Sequence, residues 1–310
     1  MQHSFYRTPF QTRAVQFVGA LMFAAFLLSN NSCSANQNTN DTGGDSNMIS
    51  PNQLTAPPIQ KRAARNRFER NLPAELMLPA DDDIVANRIL KDYGAVFVAR
   101  GGVVPPPKII FAGESDCAAW QDSVAKRVEN FGVLIELQEP AMRALVAART
   151  EARAKGFSFT VRGTWGARRD YRDTEKIWAT RVTPGLNYWT QRGKLTANEA
   201  ARIRALKPSE QVAEILRLEA RGMFFSKGFD KSILYSATAP GASQHLSMLA
   251  VDLNENGSGA VRAVMGRHGW FQTVESDLPH FTFLGVGEDE LPALGLRKTT
   301  GGGRVYWIPE

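Results

Sequence analysis

Cysteine and histidine are scarce in this chain, with two and four copies among 310 residues. If Cys33 is removed or acylated with the leader, Cys117 has no intramolecular disulfide partner, so the fold cannot depend on a disulfide. We therefore expect Cys117 to behave as a small buried apolar residue. The chain also lacks zinc-finger spacings and aromatic-basic repeats, which argues against nucleic acid as a partner.

Extended apolar runs are equally rare, and the one at residues 15–28 follows Arg7 and Arg13 without an intervening acid. This length is typical of a signal peptide and is too short for a comfortable membrane span. The pattern predicts a signal peptide over residues 1–35 and an exported protein of the periplasm or cell envelope. Cys33 is an alternative lipoprotein acylation site that would anchor the chain to a membrane, and cleavage after Ala35 is the competing interpretation.

The net charge is +6 for the whole chain, and removal of Arg7 and Arg13 with the leader leaves +4. An excess of this size suits acidic cell-wall material at least as well as nucleic acid. Residues 36–66 are mostly rich in small polar residues and proline, which predicts a flexible polar linker.

Residues 67–310 have the length of a single domain, and 43% apolar residues in the whole chain supply one sizeable core. We expect this domain to be a monomer, with an N-terminal extension over 67–156. Apolar periodicity and capping residues predict helices near 81–92, 114–129, 140–156, 171–180, 196–206, 209–222 and 259–267. Strands are predicted at 95–99, 108–111, 157–161, 249–253 and 280–284, with a closing hairpin that ends at 305–308.

Two of the four histidines belong to motifs that also contain acids: His245 with Asp252, and Asp277-x-x-His280. Seven residues of helix rise by about 10.5 Å, too far for His245 and Asp252 to share one ion on a single helix. His245 is therefore expected in a turn, and Asp252 in a short apolar strand.

The segment 280–284 alternates as a second strand, with His280, Thr282 and Leu284 on one face. Two neighbouring strands could then present His245, Asp252 and His280 to one point. A catalytic zinc ion takes three such ligands and keeps a fourth position for water. The other candidate, His268, precedes a glycine at a helix end and is expected to cap that helix.

The pattern Ser-x-His-(x)6-Asp followed by acid-x-x-His resembles the zinc D-alanyl-D-alanine carboxypeptidases of the VanY kind. These enzymes belong to the LAS peptidoglycan metallopeptidases, which share their metal site with the hedgehog signalling domain. The resemblance spans about residues 160–285. It implies that His245, Asp252 and His280 bind Zn²⁺, that Ser243 supports them from beside the site, and that the partner is a peptidoglycan stem peptide.

A further block, 169–178, resembles the family's Arg-Ser-Tyr-x-x-Gln-x-x-Leu-Tyr stretch. This resemblance implies that Arg169 faces the scissile carbonyl of the substrate. Arg162, Arg168 and Arg172 are close enough in sequence to remain alternatives.

The chain departs from the family pattern at three positions. Met248 replaces a glycine, Pro279 replaces a tryptophan, and Asp277 stands where the family has its general base, a glutamate. An aspartate can accept a proton from a zinc-bound water if it lies within hydrogen-bond reach. Glu275, two residues upstream, is the alternative base.

These observations predict an α+β domain in which a small antiparallel sheet carries a zinc site and packs against helices, with extra N-terminal helices, like the hedgehog and D-Ala-D-Ala-peptidase domains. The predicted function is an exported zinc peptidase acting on peptidoglycan stem peptides, most simply a D-alanyl-D-alanine carboxypeptidase. A peptidoglycan D,D-endopeptidase is an alternative. So is a catalytically inactive, metal-containing cell-wall-binding protein.

Overall fold

The computed structural model describes residues 63–310. The predicted signal peptide 1–35, Cys33, and the linker up to residue 62 lie outside the described residues. Within 63–310, no helix has the length and apolar character needed to cross a membrane.

The chain combines α-helices with short antiparallel strands. The helices are α1 (Arg67–Arg70), α2 (Ile84–Tyr93), α3 (Glu114–Ser123), α4 (Glu139–Ala154), α5 (Tyr171–Gln191), α6 (Ala197–Arg204), α7 (Pro208–Ala220) and α8 (Gly259–Arg267). The strands are β1 (Lys126–Asn130), β2 (Leu134–Gln138), β3 (Ala250–Asp252), β4 (Trp270–Phe271), β5 (His280–Phe283), β6 (Leu296–Gly301) and β7 (Arg304–Pro309). Short 3-10 helices occur at Gly94–Val98, Thr164–Gly166, Ile233–Tyr235, Gln244–Ser247 and Glu288–Leu294.

A three-stranded antiparallel sheet, in the order β3-β5-β4, positions the candidate site. Asp252 pairs with His280, and Ala250 pairs with Thr282. Directly opposed residues of an antiparallel pair project from the same face. Asp252, His280 and Thr282 therefore share one face of the sheet, and every residue of the three strands is buried.

Several predicted elements are confirmed. Helix α8 has the predicted bounds 259–267, and His268 is its C-cap residue. Thr196 and Glu199 form the predicted capping box at α6, with Thr196 Oγ1 accepting from the Glu199 amide at 3.2 Å. The closing hairpin is β6–β7, and the Trp307 amide donates to the Gln272 carbonyl at 2.9 Å, which attaches the hairpin beside β4.

Two predicted strands in the N-terminal half are wrong. Residues 95–99 mostly form a 3-10 helix, Gly94–Val98, in which every residue is buried. A short apolar run buried on all sides has no periodicity that distinguishes strand from helix. Residues 108–111 form no ladder, and the Phe111 amide instead donates to the Gly241 carbonyl at 2.9 Å.

The predicted helix 114–129 was too long, because α3 ends at Ser123 and the hairpin β1–β2 follows. The connecting turn contains Gly132 at φ 93°, where its amide donates to Asn130 Oδ1 at 2.9 Å. The predicted strand 157–161 is reduced to a single bridge between Val161 and Leu253.

Helix α5 extends well beyond its predicted end at residue 180. Val182 and Leu186 continue the buried stripe that begins at Tyr171 and Trp178. This stripe ties the helix to the core, so the helix continues through Pro184. Its N-terminus starts next to the candidate site.

Cys117 is buried, as predicted, in a small apolar cluster with Phe111, Tyr171 and Leu246. Burial raises the pKa of the Cys117 thiol to about 12, so the thiol is protonated at neutral pH. Leu246 follows His245 directly, so this cluster holds the turn that carries His245.

Candidate metal centre

Three buried side chains meet where β3 and β5 pair: His245, Asp252 and His280. His245 lies in the 3-10 helix Gln244–Ser247, Asp252 ends β3, and His280 begins β5. The turn after His245 reverses the chain, so the seven-residue spacing to Asp252 is spanned without a helix. The register of the sheet places Asp252 opposite His280.

The three facing atoms form a nearly equilateral triangle. His245 Nε2 lies 3.1 Å from His280 Nδ1 and 3.3 Å from Asp252 Oδ1, and His280 Nδ1 lies 3.2 Å from the same carboxylate oxygen. Ligands on a tetrahedral zinc ion with bonds near 2.0 Å are separated by about 3.3 Å. The triangle therefore has the size of three corners of a tetrahedral metal site.

The outer nitrogens of both rings face acceptors, which decides where their protons are. His245 Nδ1 lies 2.7 Å from the Ala167 carbonyl, and His280 Nε2 lies 2.8 Å from Gln244 Oε1. The Gln244 amide is oriented by its own nitrogen, which donates to the Tyr93 carbonyl at 2.8 Å. These acceptors favour the tautomer of each ring that carries its proton on the outer nitrogen and turns a lone pair inward.

The charge states at the cluster favour a cation. Burial, followed by the nearby Arg169 charge, lowers the pKa of His245 to about 4, so the ring is neutral at pH 7. Asp252 accepts from the Arg169 guanidinium at 3.1 Å, and this adjacent positive charge favours the ionised carboxylate. Two imidazole lone pairs and a carboxylate therefore converge, a donor set that can hold a divalent metal ion.

Of the four arginines considered from the sequence, Arg169 is the one whose side chain contacts the cluster, while Arg162 contacts Asp252 through its backbone amide, which donates to the Asp252 carbonyl at 2.8 Å. Its Nη2 donates to Asp252 Oδ2 at 3.1 Å, and its Nε donates to the Trp165 carbonyl at 2.8 Å. Burial lowers the pKa of Arg169, with the Asp252 charge acting in the opposite direction. Arg168 points elsewhere and pairs with Glu136 at 2.6 Å.

A cavity of about 380 Å³ opens beside the cluster, and its wall includes His245 and His280 together with Arg169 and Asp277. Asp277 is half-buried, and its carbonyl accepts from the His280 amide at 3.1 Å, so a tight turn joins it to β5. Burial raises the pKa of the Asp277 carboxyl, and the nearby Asp252 charge acts in the same direction.

The structure does not bring Glu275 to this cavity. Its side chain is exposed, accepts from Thr299 Oγ1 at 3.3 Å, and lines an adjoining cavity. Its two neighbours, Val274 and Ser276, line the cavity beside the cluster, and Glu275 between them does not.

Ser243 lines the cavity and is buried, and its carbonyl accepts from the Leu246 amide at 3.0 Å. The side chain that supports the His280 ring is Gln244, a residue that the sequence did not single out. Thr282 Oγ1 also donates to Gln244 Oε1, and Thr273 contacts Thr282 at 2.6 Å. The sequence signal for these polar contacts was Thr282, which lies two residues after His280 on the same face of the strand.

Met248, where the resembled family pattern has a glycine, has an unusual backbone conformation. Met248 is fully buried and has φ 58° and ψ 27°, in the left-handed region that glycine adopts most easily. It ends the 3-10 helix of His245, and its carbonyl accepts from the Gln138 amide at 3.1 Å. The turn between His245 and Asp252 therefore has a conformation that most residues disfavour.

No model of a known protein family matches the chain, and no curated protein matches it either. Among solved structures, a mutant of the vancomycin resistance D,D-pentapeptidase VanY in complex with Zn(II) is similar at 17% identity and a TM-score of 0.30. The match covers 51% of this chain and 79% of that chain. VanYB in complex with D-alanine-D-alanine is similar at 18% identity and the same TM-score, over 51% of this chain and 77% of its own. A likeness of this strength carries no weight for fold or activity, so the site rests on its own geometry.

Proposed function

We propose that this protein is an exported zinc peptidase that hydrolyses peptidoglycan stem peptides, most simply as a D-alanyl-D-alanine carboxypeptidase. The observation that supports the proposal is the convergence of His245, Asp252 and His280 in the wall of a cavity that also contains a carboxylate and a guanidinium. The motif resemblance to VanY-type enzymes contributes the substrate class. Periplasmic or envelope location rests on the signal-peptide pattern of residues 1–35.

The donor set fits a catalytic zinc ion better than a structural one. Structural zinc sites are closed by four protein ligands, whereas catalytic sites use three and leave one position open. Among residues 63–310, the cluster of potential ligands has three members and borders a cavity. Both histidines also have the carbonyl-type partners that orient metal-binding rings.

Zinc held by these three residues would supply a Lewis acid that lowers the pKa of water to about 7 and polarises a carbonyl. Asp277 would accept the proton of the attacking water and return it to the leaving amine. Arg169 donates from Nη2 to Asp252 and from Nε to the Trp165 carbonyl. Its remaining Nη1 hydrogens would stabilise the developing oxyanion. Gln244 would keep His280 in the tautomer that the site requires.

The test uses residues 60–310, purified and loaded with zinc, and a peptide that ends in D-Ala-D-Ala. We expect about one zinc ion per chain and release of the terminal D-Ala. His245→Ala should lose both, whereas Asp277→Asn should keep the metal and lose turnover. Zinc content that is unchanged in His245→Ala would refute the site, and zinc without cleavage of any wall peptide would identify an inactive wall-binding protein instead.

Cross-linked peptidoglycan in the same assay separates carboxypeptidase from endopeptidase action. A carboxypeptidase releases free D-Ala from uncross-linked stems, while an endopeptidase lowers the fraction of cross-linked muropeptides. Chromatography of the products distinguishes the two results.

A further inference from the structure

Arg181 is a positive charge in the wall of the candidate active-site cavity, and it has no acidic partner within the described part of the chain. Its Nε donates to Ser236 Oγ at 3.2 Å, and its Nη1 donates to Thr180 Oγ1 at 2.7 Å. Both partners are neutral hydroxyls. An arginine is charged at every relevant pH, so this charge is available to an anion that enters the cavity.

The position of Arg181 follows from helix α5. Thr174, Ile177 and Arg181 recur at helical spacing, and all three line the cavity. Arg169 lies just before the helix and contacts the metal-binding carboxylate. Helical side chains lean toward the N-terminus, which is the end of α5 that lies next to Arg169.

The two arginines of the cavity differ in their partners. Arg169 is paired with Asp252 at 3.1 Å and is 14% exposed at its side chain. Arg181 contacts Ser236 and Thr180 and keeps Nη2 and one Nη1 hydrogen for another group. Guanidinium groups pair with carboxylates through two parallel hydrogen bonds, which this free end permits.

The adjoining cavity of about 310 Å³ carries charges of both signs. It shares Tyr93 and Tyr235 with the first cavity, and its charged lining residues are Lys91, Arg297, Glu275, and Arg88 paired with Asp92. Lys91 and Arg297 have no ion pair among residues 63–310. Asp277 is the acid that lines the first cavity, and its proposed role is catalytic, so it is not available to neutralise Arg181.

We propose that Arg181 binds a carboxylate of the peptide substrate and thereby selects substrates with a negative charge near the cleaved bond. This inference rests on the proposed peptidase function and names a specificity-determining residue for it. The carboxylate has two possible sources: the free C-terminus of the leaving residue, or an acidic side chain of the stem peptide.

The experiment compares three peptides: acetylated Lys(acetyl)-D-Ala-D-Ala, its C-terminal carboxamide, and an analogue with glutamate in place of the lysine derivative. The value of kcat/KM is measured for the unchanged chain, Arg181→Met and Arg181→Lys. Arg217→Met, at a side chain 72% exposed on α7, is the matched control. We expect a preference of about tenfold for one acidic group over its neutral counterpart.

Arg181→Met should abolish that preference, Arg181→Lys should retain part of it, and Arg217→Met should leave it unchanged. Loss of the acid-over-amide preference identifies the C-terminus as the source, and loss of the glutamate preference identifies the side chain. An equal fall for all three peptides in Arg181→Met would overturn the proposal, because it would show a merely structural role.

A binding measurement separates this inference from the proposed function. Zinc-loaded Asp277→Asn protein, with and without Arg181→Met, is titrated calorimetrically with the same peptides. If the unchanged chain cleaves no peptide, the peptidase proposal fails, yet tighter binding of an acidic peptide that depends on Arg181 would still support the carboxylate site. Equal affinities for charged and neutral peptides would refute it.

Discussion

The two faces of strand β5 are equally buried but chemically opposite. His280 and Thr282 turn toward Asp252 and Gln244, and form a network of polar contacts. Phe281 and Phe283 turn the other way, where the Phe283 and Trp270 rings lie 5.2 Å apart. All four β5 side chains belong to residues that are at most 4% exposed.

The difference shows how one short strand separates stability from chemistry. Apolar side chains are stabilised by burial alone, whereas buried polar groups are stable only when every donor and acceptor is satisfied. A cation would satisfy the inward lone pairs of His245, Asp252 and His280. The polar face should therefore respond to metal, while the apolar face should respond to packing.

The largest effect on the polar face is expected from Asp277→Asn, at a residue that precedes β5 by three positions. We expect kcat to fall by about 10²- to 10⁴-fold, because the amide cannot accept the proton of the attacking water. Zinc content and thermal stability should stay close to those of the unchanged chain. Steady-state kinetics and metal analysis measure both, with the exposed Glu275→Gln as the matched control.

The pH dependence of the same reaction reports on Asp277. A general base works deprotonated, and burial raises the pKa of this carboxyl, so activity should be lost as the pH falls through a value above the usual aspartate range. The pH profile of kcat/KM gives the midpoint. A midpoint at or below the ordinary aspartate pKa would contradict the assignment.

On the apolar face, Phe281→Ala should lower the free energy of unfolding by about 3–5 kcal/mol, because it leaves a cavity in a packed region. Zinc should still raise the melting temperature of this variant. In His280→Ala the zinc-induced rise should disappear. Denaturant unfolding with and without zinc distinguishes the two faces. Loss of the stabilisation by zinc in both variants would contradict the separation of the two faces.

A smaller effect is expected at Gln244, which orients His280 without touching the inward atoms. Gln244→Ala should weaken zinc binding by about 10- to 100-fold, as is typical when a partner of a metal-binding histidine is removed. Competition with a chelator measures the affinity. The neighbouring Ser243→Ala is the control, and an equal loss there would show that Ser243 also supports the site.

The smallest expected effect concerns the turn at Met248. Both Met248→Ala and Met248→Gly lose a buried side chain, but glycine adopts φ 58° without the steric cost that alanine meets. We expect the glycine variant to be about 1 kcal/mol more stable than the alanine variant. Chemical denaturation of both proteins tests the order, and greater stability of the alanine variant would contradict it.

Elements with a clear period were predictable, and uniformly buried ones were not. Helix α8 has a regular buried stripe, and β5 alternates polar and aromatic residues, so both were predicted close to their observed bounds. Gly94–Val98 is buried throughout, so its sequence has no polar face to indicate the period. The hairpin β1–β2 was missed because its charged first strand looked like the end of a helix.

At the site, residue type and spacing were informative while orientation was not. His245, Asp252 and His280 were expected to meet, and they do. Their catalytic and metal-binding roles remain proposals. The sequence left Arg162, Arg168, Arg169 and Arg172 open as partners, and the contact between its guanidinium and the Asp252 carboxylate distinguishes Arg169.

By itself, the sequence determined which donor atoms were available and that a turn and two strands would carry them, because residue chemistry and local periodicity are short-range properties. The tertiary structure decided which ring nitrogens face inward, that Gln244 supports His280, and that Glu275 lies outside the cavity. Those outcomes depend on contacts between segments far apart in the chain, such as the Ala167 carbonyl and His245. Packing of the whole domain creates such contacts, so no local pattern could have specified them.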